Sequence, residues 1–136
     1  MEYFEEEKVR RLLRIDELIA AMRRVLAEFS AGKWKQPLRG VLAQHGGFFG
    51  VMPASGESMG IKMVTFYANN AGTNLPTHMA VIALFDPKTG EPLALMDGRY
   101  ITEMRTAAVS AVATDALAAP DARVRSLARV ISRGTC

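Results

Sequence analysis

At 136 residues, 49% of them hydrophobic and 23% charged, the chain suits one soluble globular domain, large enough to bury a real core. No apolar run reaches the ~18 residues of a membrane span, and the acidic start MEYFEEEKVRR lacks a signal peptide's basic and apolar regions, so a cytoplasmic protein without membrane contact is expected. The formal charge of +3 and the pI of 9.3 arise from Arg123, Arg125, Arg129 and Arg133, which leave residues 1–121 near −1 and give no basic stripe for nucleic acid.

In chain order, a short helix is predicted around Glu5 to Leu13. A longer one follows, N-capped by Asp16, with Leu18, Ile19, Met22, Val25, Leu26 and Phe29 at helical period and Gly32 ending it. Strand-like runs come next at Leu38–Gln44, Gly47–Met52, Gly60–Tyr67, Thr77–Asp86 and Pro92–Met96, joined in part by short turns, so neighbouring strands should often be antiparallel. After Asp97-Gly98 a helix should run to about Ala119. It is thin on nearly every side, with Ala107, Ala108, Ser110, Ala111, Ala113, Ala116 and Ala118 permitting close backbone approach. The expected class is α+β: N-terminal helices, a mostly antiparallel sheet of about five or six strands, and a long small-residue helix.

Three cations stand in surroundings that read as core. Lys62 lies within IKMVTFY, where alternation places it with Val64 and Phe66 while Ile61, Met63, Thr65 and Tyr67 take the other face, and neither face reads as a solvent face. Arg105, in ITEMRTAAVSAV, falls with Ile101, Ala108, Val109 and Val112, within the first turn or so of a helix begun near Ile101, where free N–H groups favour anions. Arg39, in QPLRGVLA, is read as a strand residue sharing a face with Val41. His78, in LPTHMAVIALFD, is a fourth polar group among apolar ones. An isolated buried charge costs several kcal/mol, so an anion should meet these cations. The functional reading is a carboxylate or phosphate pocket; the bland one is snorkelling, or pairing with Asp86, Asp97 or Glu103. Cys136 is the only cysteine, which excludes an internal disulfide, and His45 and His78 lack metal-ligand spacing, so no metal is expected.

The segments GFFGVMPA, IKMVTFY and LPTHMAVIALFDPKTGEPLALMDGRYITEMRTAAVSAVATDALA resemble the first domain of the ornithine cyclodeaminase/mu-crystallin family, over nearly all of residues 4–122. Its members are NAD(P)-dependent enzymes of cyclic imines, imino acids and amino acids. The resemblance implies a substrate-binding and dimerisation domain over residues 1–121, followed in the family by a Rossmann domain, and a likeness to homodimers. It implies that Arg39 and Lys62 meet a small substrate's carboxylate. Arg105 would touch substrate or cofactor beside Thr106, and Thr77 and His78 would line the nicotinamide side.

Two departures qualify this. Ornithine-cyclising members carry a glutamate where this chain has Gly50, which cannot act as acid, base or amine ligand; GVMPA and KMVTFY resemble the mu-crystallin-type imine reductases more closely. After PDARV the family enters a strand and a G-x-G-x-x-G/A turn that seats the pyrophosphate. Here the chain reads RSLARVISRGTC, with Arg125, Arg129 and Arg133 spaced for a helix face. Residues 122–136 are therefore expected to be an aberrant basic tail, with residues 124–136 disordered or loosely helical, and the chain a truncated member without catalytic residues of its own that binds no NAD(P)H tightly. The alternatives are a stand-alone carboxylate-binding or dimerisation module and a regulatory partner of an intact homologue.

Overall fold

The computed structural model describes residues 1–119. Three helices and six strands follow one another as β1 (Glu2–Phe4), α1 (Glu6–Leu12), α2 (Ile15–Ser30), β2 (Gly40–Gln44), β3 (Gly47–Ser55), β4 (Met59–Phe66), β5 (His78–Phe85), β6 (Pro92–Asp97) and α3 (Arg99–Leu117). The strands form one sheet in the order β1-β6-β5-β4-β3-β2, antiparallel throughout except where β1 joins β6 in parallel. The expected α+β class, with its long small-residue helix, is therefore the one observed. The basic tail expected at residues 122–136 lies outside the described residues.

Turn chemistry explains the meander. His45 and Gly46 both have positive φ, +48° and +77°, between β2 and β3, which suits a two-residue hairpin loop. Asp86 accepts N–H bonds from Lys88 and Thr89 in the β5–β6 turn, and these hold its carboxyl below the usual range. Gly32, at φ +74°, closes α2 as expected.

The start of α2 differs from expectation. Arg14, not Asp16, occupies the N-cap position, and no side chain caps the helix. The helix begins two residues earlier, so Asp16 and Glu17 sit in the first turn, where their charge complements the dipole and faces the Arg14 guanidinium at 3.7 and 3.4 Å. The strand β1 was not expected; three residues of EYF carry too little periodicity to show a strand.

Register decides which side chains meet. Met52, Lys62, Ile82 and Met96 stand in one row across β3, β4, β5 and β6, with Gly50, Val64 and Ala80 in the row beside it. Helix α3 lies over this face: a Cβ on Gly98 would come within 3.0 Å of the Ala80 side chain and 3.1 Å of Ile82. Ala108 is fully buried, and Val64 and Ala80 are buried under the same layer, so the thin helix does pack closely. An ion pair of 2.6 Å between Arg23 and Asp115 ties α2 to α3. At the other end, Glu6 pairs with Arg10 within α1 and with Arg99 at the start of α3, and the Arg10 guanidinium stacks on the Tyr100 ring.

The opposite face of the sheet is uncovered among the described residues. Met79 and Val81 lie in β5, flanked by strands on both sides, yet remain 36% and 39% exposed. In β4 itself Ile61, Met63 and Thr65 on that side are half-buried, and the exposed residue is Phe66, on the Lys62 face at the strand's end.

Candidate functional site

The row containing Lys62 forms the floor of an open pocket of about 330 Å³ between the sheet and α3. Its walls are Met52, Lys62 and Ile82 from the sheet, Ile101, Thr102 and Arg105 from α3, and Gln36 and Arg39 from the segment leading into β2. Three stretches of chain that are far apart in sequence thus bring Arg39, Lys62 and Arg105 to one cavity.

Three details of the cations' placement differ from expectation, the first being that Arg39 and Arg105 are exposed and only Lys62 is half-buried. Arg39 precedes β2 instead of lying within it, because the ladder with β3 begins only at the Gly40–Val51 pair. Arg105 is not in the first turn of its helix: α3 starts at Arg99, so the guanidinium projects from the second turn, beyond the free N–H groups. Its attraction for an anion therefore comes from its own charge.

No acid lines the pocket, and none of the three cations makes an ion pair or side-chain hydrogen bond among the described residues. The carboxylates that could have neutralised them are otherwise placed. Asp86 is held by its own turn, and Asp97 accepts the backbone N–H of Arg99 at 2.9 Å. Glu103 pairs with no cation in the described residues. Burial pushes the Lys62 ammonium below the ordinary lysine range, and the charges of Arg105 and Arg39 push it further. Like charges held together without counter-charge are a cost that a bound anion relieves.

His78 opens β5 on the same face as Lys62, opposite Phe66. Burial lowers its pKa, the charge of Lys62 adds to this, and Glu103 partly opposes it. Phe66 stacks on Phe48 at a centroid distance of 5.6 Å, on the Lys62 face of the sheet, and both rings remain partly exposed. Thr77 accepts the Tyr67 N–H through its carbonyl at 2.8 Å. The Thr106 hydroxyl donates to the Thr102 carbonyl at 2.7 Å, one helical turn back. Thr77, His78 and Thr106 are not among the residues that line the pocket.

The sequence model of the ornithine cyclodeaminase/mu-crystallin family matches residues 3–134. The chain belongs to this family. It is 46% identical over 115 residues to the ketimine reductase mu-crystallin of Mus musculus, a match covering 79% of this chain and 37% of the mouse protein. Among solved structures, the Thermococcus litoralis Delta(1)-pyrroline-2-carboxylate reductase, in complex with NADH and L-proline, superposes with a TM-score of 0.87 at 40% identity, covering 90% of this chain and 40% of that one. An archaeal alanine dehydrogenase dimer with bound NAD superposes at a TM-score of 0.90 and 30% identity, covering 98% and 44%. The chain therefore spans less than half the length of these relatives.

Gln36, Met52, Ile82 and Thr102 are pocket residues that sequence reasoning did not single out. Met52 and Ile82 read as ordinary core, and only the strand register sets them on either side of Lys62. For Thr102, its place three residues before Arg105 was a usable signal, since residues at that spacing share a helix face.

Proposed function

We propose that this chain is the carboxylate-recognition and subunit-pairing part of an NAD(P)H-dependent reductase of imines or imino acids, of the ketimine-reductase kind. The observation that carries the reading is the convergence of Arg39, Lys62 and Arg105 on one pocket that contains no acid. A carboxylate there accepts charge-assisted hydrogen bonds from the guanidinium of Arg39 and the ammonium of Lys62. Arg105 adds charge from the roof, and Met52, Ile82 and Ile101 pack against the apolar remainder of the ligand. The pocket wall offers no carboxylate for a second amine. Gly50 supports the same reading, because a side chain there would start 3.1 Å from Val64. An imino acid suits this lining better than a diamino acid does.

The dinucleotide, when bound, supplies hydride to the imine carbon next to the carboxylate. The residues we assign to its nicotinamide end are Arg105 in the pocket wall, Thr106 beside it on α3, and Thr77 and His78 at the start of β5, and the Phe48–Phe66 pair adds an apolar surface on the Lys62 face of the sheet. The described residues contain no glycine-rich turn at a helix N-terminus to take the pyrophosphate. The open Met79–Val81 face is proposed to pair with a second copy, together with the small-residue helix, in keeping with the dimeric alanine dehydrogenase relative.

Calorimetric titration of the 136-residue chain with L-proline tests the reading. Arg39→Met and Lys62→Met should each weaken binding by about 1.5–3 kcal/mol, the range for hydrogen bonds to charged groups. Equal affinity in wild type and both variants would remove the pocket from consideration.

A further inference from the structure

Lys62 differs from its two cationic neighbours in one chemical respect: it can lose its proton and become a nucleophile, whereas an arginine guanidinium stays charged. Its surroundings are those that activate a lysine amine. It stands in mid-strand on the floor of the pocket, with Met52 and Ile82 as its neighbours across the ladder and Ile101 on the roof. No carboxylate holds it as an ammonium, and Arg39 and Arg105 share the cavity with it. Half-burial, followed by the charges of Arg105 and then Arg39, favours the free amine. A lysine desolvated in an apolar pocket or set beside another cation is the recurring arrangement of imine-forming amines.

We propose that Lys62 condenses reversibly with short 2-oxo acids, whose carboxylate Arg39 and Arg105 hold while the lysine nitrogen attacks the neighbouring carbonyl carbon. This rests on the carboxylate-pocket reading and adds a covalent step to it. The free amine forms the C–N bond, and the carbonyl oxygen takes up a proton to give a carbinolamine. The hydroxyl then leaves as water, and a protonated imine remains on Nζ. One ammonium and one 2-oxo acid thus give one iminium and one water, with no change in oxidation state. The two arginines keep the carboxylate's countercharge when the lysine gives up its proton. The pocket, at about 330 Å³, has ample room for a three-carbon acid. The product carries a C=N bond next to a carboxylate, the grouping present in a pyrroline-2-carboxylate.

The test uses the whole 136-residue chain, pyruvate as probe and sodium cyanoborohydride to trap the imine, with adducts mapped by peptide mass spectrometry. Lys8, Lys33, Lys35 and Lys88 serve as internal references, and Lys62→Arg as the variant that keeps the charge and loses the nucleophile. Lys62 should be labelled severalfold faster than Lys88 with pyruvate but not with acetone, which lacks the carboxylate. Arg39→Met or Arg105→Met should bring it back to the rate of Lys88, and L-lactate, a carboxylate without the carbonyl, should compete. If L-lactate binds by calorimetry but Lys62 is labelled no faster than Lys88, the covalent step is wrong and the pocket reading survives. If L-lactate fails to bind as well, both are wrong. Equal labelling by acetone would overturn the role given to the arginines.

Discussion

Replacing Val81 by lysine should abolish self-association while leaving the subunit folded. Val81 lies in the inner strand β5 and keeps 39% of its surface exposed, because its face of the sheet carries no covering layer among the described residues. Full burial of a valine contributes ~1.5–3 kcal/mol, so covering the remaining two-fifths is worth roughly 0.6–1.2 kcal/mol per subunit. A two-fold interface counts each site twice, which makes about 1.2–2.4 kcal/mol per dimer from this position alone. Lysine forfeits that gain and adds two ammonium groups whose desolvation costs several kcal/mol each. Since about 1.4 kcal/mol is a factor of ten in dissociation constant, the dimer should weaken roughly 7- to 50-fold from lost burial and disappear from view once the charges are included. In the separated subunit the ammonium faces water, so the thermal transition of the monomer should move little. Sedimentation velocity at tens of micromolar, with circular dichroism to confirm folding, reads both effects. A wild-type chain that sediments as a well-folded monomer, or a Val81→Lys variant that dimerises like wild type, would refute the reasoning.

Three further outcomes are expected. Lys62→Met removes a charge that holds down His78, so the His78 imidazole should titrate closer to 6.5 in the variant than in wild type, as followed by its NMR ring resonances. Because the Lys62 ammonium is disfavoured in the fold, the unfolded chain binds more protons below the ordinary lysine value of 10.5; stability should therefore rise with pH through the window beneath that value, whereas carboxylate affinity should fall as Lys62 loses its charge, and calorimetry across alkaline pH reads both. The chain of residues 1–136 should show no low-micromolar NADPH binding, since the residues that fit the cofactor reach only its nicotinamide end; a micromolar titration would contradict that assignment.

The parts of this structure that were legible in the sequence are those whose signal is local. Alternation over Gly60–Tyr67 placed Lys62 with Val64 and Phe66, and that is the face the helix covers. The alanines of α3 announced a helix able to approach the sheet, and Ala108 is fully buried. Non-local facts were not legible. The parallel pairing of Glu2–Phe4 with Ala94–Met96 joins segments about ninety residues apart and leaves no trace in either. The apolar pocket wall depends on Met52, Lys62 and Ile82 being in register, and a slip by one residue would have turned Met52 to the other face. Arg39 was misread as a strand residue because Leu38-Arg39-Gly40-Val41 has strand composition, although the ladder starts only at Gly40. Arg105 was misplaced by the two residues that Arg99 and Tyr100 add to the start of α3.

The placement of α3 links the chemistry to the fold. A helix of larger side chains could not bring Gly98 so close to Ala80 and Ile82, and its roof would stand further from the sheet. Lys62 would then be more hydrated, and the Arg105 charge would be better screened from it. Because the roof is thin, desolvation and repulsion act together on a lysine that has no acid to relieve them. The Glu6 carboxylate holds the start of the same helix from outside: burial pushes its pKa up, but hydrogen bonding from Arg10 and the charges of Arg99 and Arg10 outweigh this and keep it ionised. The acid in this region thus fixes the position of the roof, and the space beneath the roof is left with cations alone. The proposed preference for a carboxylate rests on this arrangement: the acid lies outside α3, and no acid lines the pocket that Lys62, Arg39 and Arg105 share.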